Sequence, residues 1–372
     1  MLVCAVAVAV LACAPGAQAA KLTFSDVPAR FWAAPQITWA VDHGWITPRR
    51  PTQYSPAHTV SRKTASLVLA RLNFKLTGTP IATNQYDQAV DAGWISPGTG
   101  YSQPIEQWEF DRGIVRVLGL KSTASAIGHL TAADGWKPKL PQAFGAEQVV
   151  RALGVRVNAP EGSDQWEEWP TDDLTRATVA VEADAAAHLS PWAEDAARAK
   201  AAVATALPAL TPLQKAVIQF ALRYGGAPYV WGGEYPTANS PYGTQAAGGF
   251  DCSGFVWWVL KMQTYTAGGT TWSGNSQILA RDTYSMAHDL PVGQRIKRKH
   301  LHPGDIVFWS SAPNGVNTAW QTVYHTGIYV GNGWTINSHG SGDGVTLDYM
   351  GAGAGWYHDA FAFGWRVLPR GA

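Results

Sequence analysis

With 372 residues, 46% of them hydrophobic and only 15% charged, the chain can bury a sizeable core, which excludes wholesale disorder and suggests two or more domains. A formal net charge of +1 gives no long-range field for nucleic acid or an anionic membrane, so partners must be chosen by local contacts. The chain opens on "MLVCAVAVAVLACAPGAQAA". Leu2–Cys13 is too short an apolar run to span a bilayer but suits the core of a signal peptide, and "AQA" at 17–19 supplies small residues for cleavage before Ala20. Residues 1–19 are therefore expected to be a leader, the mature protein to be exported, and no integral membrane span to be present.

A weak lipoprotein-like site, "VLAC" at 10–13, leaves a lipid-anchored form as the less favoured alternative. After the leader, "FSDVPARFWAAPQITWAVDHGWITPRRPTQYSPAHTVSRKTASLVLARL" at 24–72 has helical apolar spacing, a stop at Gly44-Trp45-Ile46, and a second helix capped by Ser61. A second copy follows at 86–120, where "DAGWIS" answers "DHGWIT". A third is weaker: "LTRATVAVEADAAAHL" at 174–189 resembles the last helix of the unit, and "EQVVRALGV" at 147–155 echoes "GIVRVLGL". Repetition of this length argues for stacked units. The helix–loop–helix pattern resembles the S-layer homology repeat, with expected bounds of 20–80, 81–125 and a degenerate 126–189. That resemblance implies contact with secondary cell-wall polysaccharide through Arg62 and Arg176, with Gln107 standing where the second unit's arginine would be; the alternative is a spacer or a lid. The tryptophans do not discriminate, since Trp32, Trp39 and Trp45 also occupy core positions of a small helical repeat. Residues 190–211, rich in Ala and flanked by prolines, read as a linker helix or tether.

The chemistry is carried farther on. In "GGFDCSGFVWWVLK" at 248–261, Asp251 is a good N-cap and Phe255, Val256, Val259 and Leu260 define one apolar helical face. Cys252 then lies in the first turn. With Cys4 and Cys13 inside the leader it has no internal disulfide partner, and the helix N-terminus is expected to lower its pKa, as a nucleophile requires. Between this segment and the base, "RIKRKH" at 295–300 reads as a solvated basic loop. His300 and His302 form no convincing metal set, so no metal and no cofactor are expected. The base is sought in "VYHTGIYVGNGWTINSHG" at 323–340, a hairpin about a Gly-Asn-Gly turn with His325 on its first strand and Asn337 and His339 sharing a face of its second. A two-residue Asn332-Gly333 turn would put Asn337 on the face opposite His325. A three-residue loop, 331–333, sets His339 across from His325 and Asn337 across from Gly327; catalysis requires that register, and it is the one expected.

"YVWGG" at 229–233, "FDCSGFV" at 250–256, "HPGDIVFW" at 302–309 and "HTGIYVGNG" at 325–333 occur in the order found in the NlpC family of papain-like cell-wall peptidases, which residues 212–369 resemble. The resemblance implies an α+β fold with helices packed on an antiparallel sheet, and a substrate: peptidoglycan stem peptides, cut after γ-linked D-glutamate. It implies Cys252 as nucleophile, His325 as base, and Asn337, or alternatively His339, as the orienting group. Tyr229 is the candidate oxyanion partner, and Asp251 and Ser253 are candidates for a substrate amino group, while "EYPTANSPYGTQAAGG" at 234–249 is longer than the family needs. The same Cys–His chemistry would serve an amidase or an acyl transferase, and loss of either residue would have marked a wall-binding protein without activity.

Overall fold

The computed structural model describes residues 23–98, 100–156, 167–190, 192–202, 206–245, 247–340 and 344–369; the expected leader at 1–19 lies outside them. The N-terminal half is helical: α1 Ala34–Asp42, α2 Arg62–Thr77, α3 Gln85–Asp91, α4 Gln107–Val117, α5 Lys121–Ile127, α6 Phe144–Ala152, α7 Arg176–Ala187 and α8 Ala193–Ala202. No described helix is long and apolar enough to cross a membrane.

Helices α2, α4 and α7 begin at "SRKT", "EQWE" and "TRAT", and the residues just ahead of them close a ring of backbone hydrogen bonds. The Val60 N–H donates to Leu174 O at 2.8 Å, Leu174 to Ile105 O at 2.9 Å, and Ile105 to Val60 O at 3.0 Å. The three units are thus arranged about a pseudo-threefold axis. Each first helix packs on another unit's last helix, α1 on α7, α3 on α2 and α6 on α4, because one helix pair cannot bury its own apolar face. Each first helix ends on a left-handed glycine, Gly44, Gly93 or Gly154, with φ of 67°, 71° and 68°. This equivalence corrects one sequence reading: "EQVVRALGV" is the first helix of the third unit, matching "DHGWIT", and not a counterpart of "GIVRVLGL".

The C-terminal half has the expected α+β build. It contains α9 Pro212–Leu222, α10 Cys252–Val256 running into a π-helical turn at Trp257–Lys261, α11 Thr283–Asp289 and a short α12, Trp356–Asp359. Besides short two-stranded pairs, six strands, β1 Arg295–Ile296, β2 Ile306–Ser310, β3 Val323–Gly331, β4 Trp334–His339, β5 Gly344–Tyr349 and β6 Phe361–Trp365, form an antiparallel sheet in the order β5-β4-β3-β2-β6-β1. Ile306 and Phe308 point into the main core and Val307 and Trp309 into a smaller one, so β2 is apolar on both faces. Helix α10 packs across β3 and β4.

The β3–β4 hairpin reaches the expected register by another route. Its turn is the two residues Asn332 and Gly333, with φ of 50° and 84°, the positive values of a type I′ turn. A bulge between Tyr329 and Gly331 then inserts one residue into β3, so that Ile328 faces Ile336 and Tyr329 faces Thr335. The turn is therefore two residues and not three, and the bulge compensates for the difference.

Of the two readings of 190–211, a linker helix or a tether, the described residues form the helix and pack on the rest of the N-terminal half. Helix α8 packs on α5 and α6, and Ala206–Leu207 pairs in parallel with Thr131–Ala132. The halves are joined by specific polar contacts: Arg151 donates to Gly226 O at 2.9 Å, the Leu347 N–H to Gln148 Oε1 at 2.7 Å, and the Trp169 indole to Gly248 O at 3.2 Å. Gly225 is required here, since a Cβ on it would lie 2.2 Å from the Phe144 ring. Arg151 is fully buried and pairs with Glu147 at 2.6 Å and with Glu167. Truncating one member of such a buried pair strands the other charges, so Arg151→Ala is expected to lower stability by about 3–5 kcal/mol, measured by denaturant unfolding of the whole chain.

Candidate active site

Cys252 opens α10 because Asp251 caps it, the Asp251 carboxylate accepting from the Gly254 N–H at 2.6 Å. Gly254 leaves no room for a side chain, since a Cβ would meet Gly233 O at 1.9 Å. The expected apolar face is present, with Phe255, Val256, Val259 and Leu260 all fully buried, and it seats the helix on the sheet. Cys252 is half-buried in a cavity of about 520 Å³ that it shares with Tyr229, Asp251, Ser253, His325 and His339. Trp231, Tyr284 and Tyr324, all exposed, also line the cavity. Thr283, at the start of α11, places its hydroxyl 3.3 Å from the Cys252 sulfur.

His325 comes from β3, where it pairs with Trp309 of β2. Its Nε2 lies 2.7 Å from Asn337 Oδ1 of β4. A carbonyl oxygen only accepts, so this bond assigns the proton to Nε2 and leaves Nδ1 as the basic nitrogen. Gly327, across the hairpin, makes room for the arrangement, because a Cβ there would lie 2.7 Å from the Asn337 Cβ. Of the two candidate orienting residues, Asn337 makes the hydrogen bond to His325, whereas His339 meets the His325 ring edge-on with centroids 5.1 Å apart. Trp309 and Trp356 flank the imidazole at 5.1 and 5.5 Å and limit its rotation.

The electrostatics correct the expectation of a lowered thiol pKa. Burial, reinforced by the Asp251 charge, pushes the Cys252 thiol up to about 11, against the opposing pull of the Thr283 hydroxyl and of the Thr326 and Ser253 backbone N–H groups. Burial, with the His339 ring nearby, lowers His325 to about 3, while the Asn337 bond and the Asp348 charge work the other way. The resting pair is therefore a neutral thiol and a neutral imidazole. Desolvation of the thiolate is the largest influence and the Asp251 charge adds to it, so the local hydrogen bonds to sulfur do not prevail.

Asp251 and Ser253 are both engaged by Arg281, a residue the sequence reading passed over. Arg281 donates to Asp251 Oδ1 at 3.2 Å, to Ser253 Oγ at 2.9 Å and to Glu234 at 2.6 Å, tying the nucleophile's loop to the start of the 234–249 insertion. Tyr229 is buried against the backbone of Gly340, 3.1 Å from where a Cβ would sit. Arg62 and Arg176, the expected glycan contacts, lie inside the helical half. Arg62 is paired with Glu109, and Arg176 donates to Tyr54 O at 2.8 Å and Thr47 O at 2.7 Å while stacking over the Tyr54 ring. Gln107, at the equivalent place, bonds Asp111 and Glu182, each at 2.7 Å. The basic run at 295–300 is partly tied down too, with Arg295 over Phe363 and Arg298 over Phe361. Thr283, Arg281 and Asp348 were missed because they lie outside the four quoted motifs; "RDT" at 281–283, an N-cap behind an arginine, was the one local signal.

A thiol raised to about 11 predicts a distinctive reactivity profile. Alkylation of Cys252 by iodoacetamide is expected to keep rising, about tenfold per pH unit, from neutrality toward the thiol pKa. A plateau near pH 7 would show instead that a thiolate is already formed at rest.

Residues 226–363 match the NlpC/P60 family model. The chain is 31% identical over 143 residues to the bifunctional muramidase/DL-endopeptidase CwlT of Bacillus subtilis (strain 168), covering 38% of this chain and 33% of that protein. It is 31% identical over 134 residues to a gamma-DL-glutamyl hydrolase of the same organism, with 36% and 25% covered, and 30% identical over 122 residues to the murein DD-endopeptidase MepH of Escherichia coli (strain K12), with 33% and 35% covered. The chain thus spans about a third or less of the length of these relatives. A solved NlpC/P60 family protein from Bacillus cereus ATCC 10987 is 25% identical, with a TM-score of 0.29 and coverage of 43% of this chain and 42% of that one. The C-terminal region, residues 226–363, is an NlpC/P60 domain related to peptidoglycan endopeptidases.

Proposed function

We propose that the protein is an exported, wall-associated cysteine endopeptidase that cleaves amide bonds in peptidoglycan stem peptides, after γ-linked D-glutamate. The observation that carries this reading is the meeting of Cys252 and His325 on one cavity with Asn337 bonded to the imidazole. The γ-linked bond is favoured because two relatives are named for DL-bond cleavage, whereas the DD-endopeptidase among them makes the fragment masses the deciding measurement.

Because both partners start neutral, the chemistry runs as general-base catalysis. His325 Nδ1 takes the thiol proton as Sγ attacks the carbonyl carbon, so the charged pair arises only in the transition state. The imidazolium then passes that proton to the leaving amine as the C–N bond breaks. Water, deprotonated by the same nitrogen, hydrolyses the thioester and restores the thiol. The Cys252 N–H and the Tyr229 hydroxyl are the groups assigned to the developing oxyanion. Asp251 and Ser253, held by Arg281, are assigned to a polar group of the substrate. The aromatic residues lining the cavity suit the apolar faces of a peptide–sugar substrate. With Arg62 and Arg176 engaged internally, the helical half is assigned to positioning the peptidase, and any polysaccharide contact to other residues.

Digestion of purified peptidoglycan by the full chain and by Cys252→Ala, with fragments identified by mass, tests the reading: Cys252-dependent fragments ending in D-glutamate are expected, and intact stem peptides would overturn it. Gly327→Ala pushes Asn337 away from His325 and is expected to lower turnover at least tenfold while reducing stability by about 1–3 kcal/mol, measured by hydrolysis rates and thermal unfolding.

A further inference from the structure

Asn337 does not end the chain of hydrogen bonds that starts at His325. Its Nδ2 donates to Asp348 Oδ2 of β5 at 3.1 Å, and the same oxygen accepts from the Thr346 hydroxyl at 2.5 Å and the Tyr357 hydroxyl at 3.0 Å. The other carboxylate oxygen, Oδ1, accepts from Lys200 Nζ at 2.9 Å. Lys200 belongs to α8, in the segment between the helical units and the peptidase fold. Both side chains of this ion pair are mostly shielded, at 15% and 14% exposure, so solvent screens it only in part.

We propose that Asp348 is a positioning residue for the His325 base and that Lys200, carried by α8 of the N-terminal half, completes the chain, so that docking of that half sets the tautomer of the catalytic imidazole. This inference rests on the cysteine-peptidase reading given above.

The argument is one of donor and acceptor types. An amide side chain can be turned either way, and only one orientation gives His325 an acceptor. An ionised carboxylate accepts and never donates, so Asp348 takes the NH2 end of Asn337 and forces the carbonyl end toward His325. Oδ1 then fixes the proton on Nε2, leaving Nδ1 free to accept the thiol proton. A wrongly turned Asn337 would offer an N–H to Nε2, stabilise the opposite tautomer and disable the base. Asp348 must be ionised to act in this way. Burial works to raise its carboxyl, but the Lys200 charge and the hydrogen bonds from Thr346, Lys200 and Tyr357 outweigh burial and hold it below the usual carboxylate range.

Among the described residues, the titratable groups nearest the imidazole are His339 from β4 and Cys252 from α10, with Asp348 of β5 behind Asn337 and the Tyr357 hydroxyl of α12 lying 3.3 Å from Asn337 Oδ1, while Tyr229, Asp251, Asp282, Tyr284 and Tyr324 line the same cavity. Asp348 favours the imidazolium that forms in the transition state, and Lys200 tempers it. The two charges therefore act on His325 with opposite sign, as any ion pair at this place would, and the tautomer, which depends on how Asp348 turns Asn337, is the readout that separates a positioning role from an architectural one.

The test uses the full chain with Asp348→Asn, Lys200→Met and Lys200→Arg. Turnover and KM are measured on a soluble stem peptide, and the His325 tautomer and proton affinity by nitrogen NMR of histidine-labelled protein. Asp348→Asn is expected to lower kcat at least tenfold with KM within twofold, to mix the His325 tautomers and to lower its proton affinity. Lys200→Met is expected to lower kcat several-fold, to mix the His325 tautomers and to shift the His325 proton affinity upward, the opposite direction, with Lys200→Arg restoring wild-type values. Lys200 lies at the edge of the network, so its variants keep the test open if Asp348→Asn fails to fold. Unchanged His325 spectra in Lys200→Met, or shifts of the same sign in both charge-removing variants, would overturn the proposal. The NMR arm needs no substrate: a wild-type chain that cleaves no stem peptide sinks the functional reading alone, while the tautomer still decides this inference.

Discussion

The register of the β3–β4 hairpin is the constraint on which the site depends. Side chains alternate faces along a strand, so a slip of one residue would turn Asn337 away from His325 and leave the imidazole without its acceptor. The bulge between Tyr329 and Gly331 prevents this, converting the pairing dictated by a tight Asn-Gly turn into the pairing the site needs. Gly327 and Gly333 follow from the same constraint, one clearing space beside Asn337 and the other allowing the positive φ of the turn. A bulge next to a catalytic pair is a common device for aiming a side chain without breaking the ladder.

Burial then determines the electrical state of the pair. Taking a thiol and an imidazole out of water disfavours the charged form of each, raising the acid and lowering the base, so the two drift apart in proton affinity and rest neutral. The surroundings limit this penalty. A hydroxyl, two backbone N–H groups, an amide and a more distant carboxylate all favour charge where it must appear during reaction. Such groups stabilise a transition state more than a ground state, which is the requirement for catalysis.

The helical half is built on a different logic, a closed ring in which every unit borrows a packing partner from its neighbour. Closure explains why the arginines at the helix starts are turned inward: Arg176 satisfies carbonyls contributed by the first unit, and Arg62 pairs with Glu109 of the second. It also frees the outer faces of α6 and α8 to dock on the peptidase fold. There Arg151, Gln148 and Lys200 all meet the opposing backbone or side chains within about one strand of the catalytic hairpin.

The local features were largely legible in the sequence. The N-cap of Asp251, the apolar face of α10 and the glycine stop at Gly44 each depend on neighbours a few residues apart, and short-range sterics and periodicity report them, whereas the pairing of His325 with Asn337 was legible only through the family resemblance. The sequence by itself therefore determined the element types, the repeats and the candidate nucleophile and base. Tertiary structure alone decided the sign of the thiol shift, the inward fate of Arg62 and Arg176, the bulge that completes the register, and the arrival of Lys200 at Asp348, 148 residues away in the chain. Desolvation and long-range hydrogen bonding depend on what the fold packs around a group, and no local pattern carries that information.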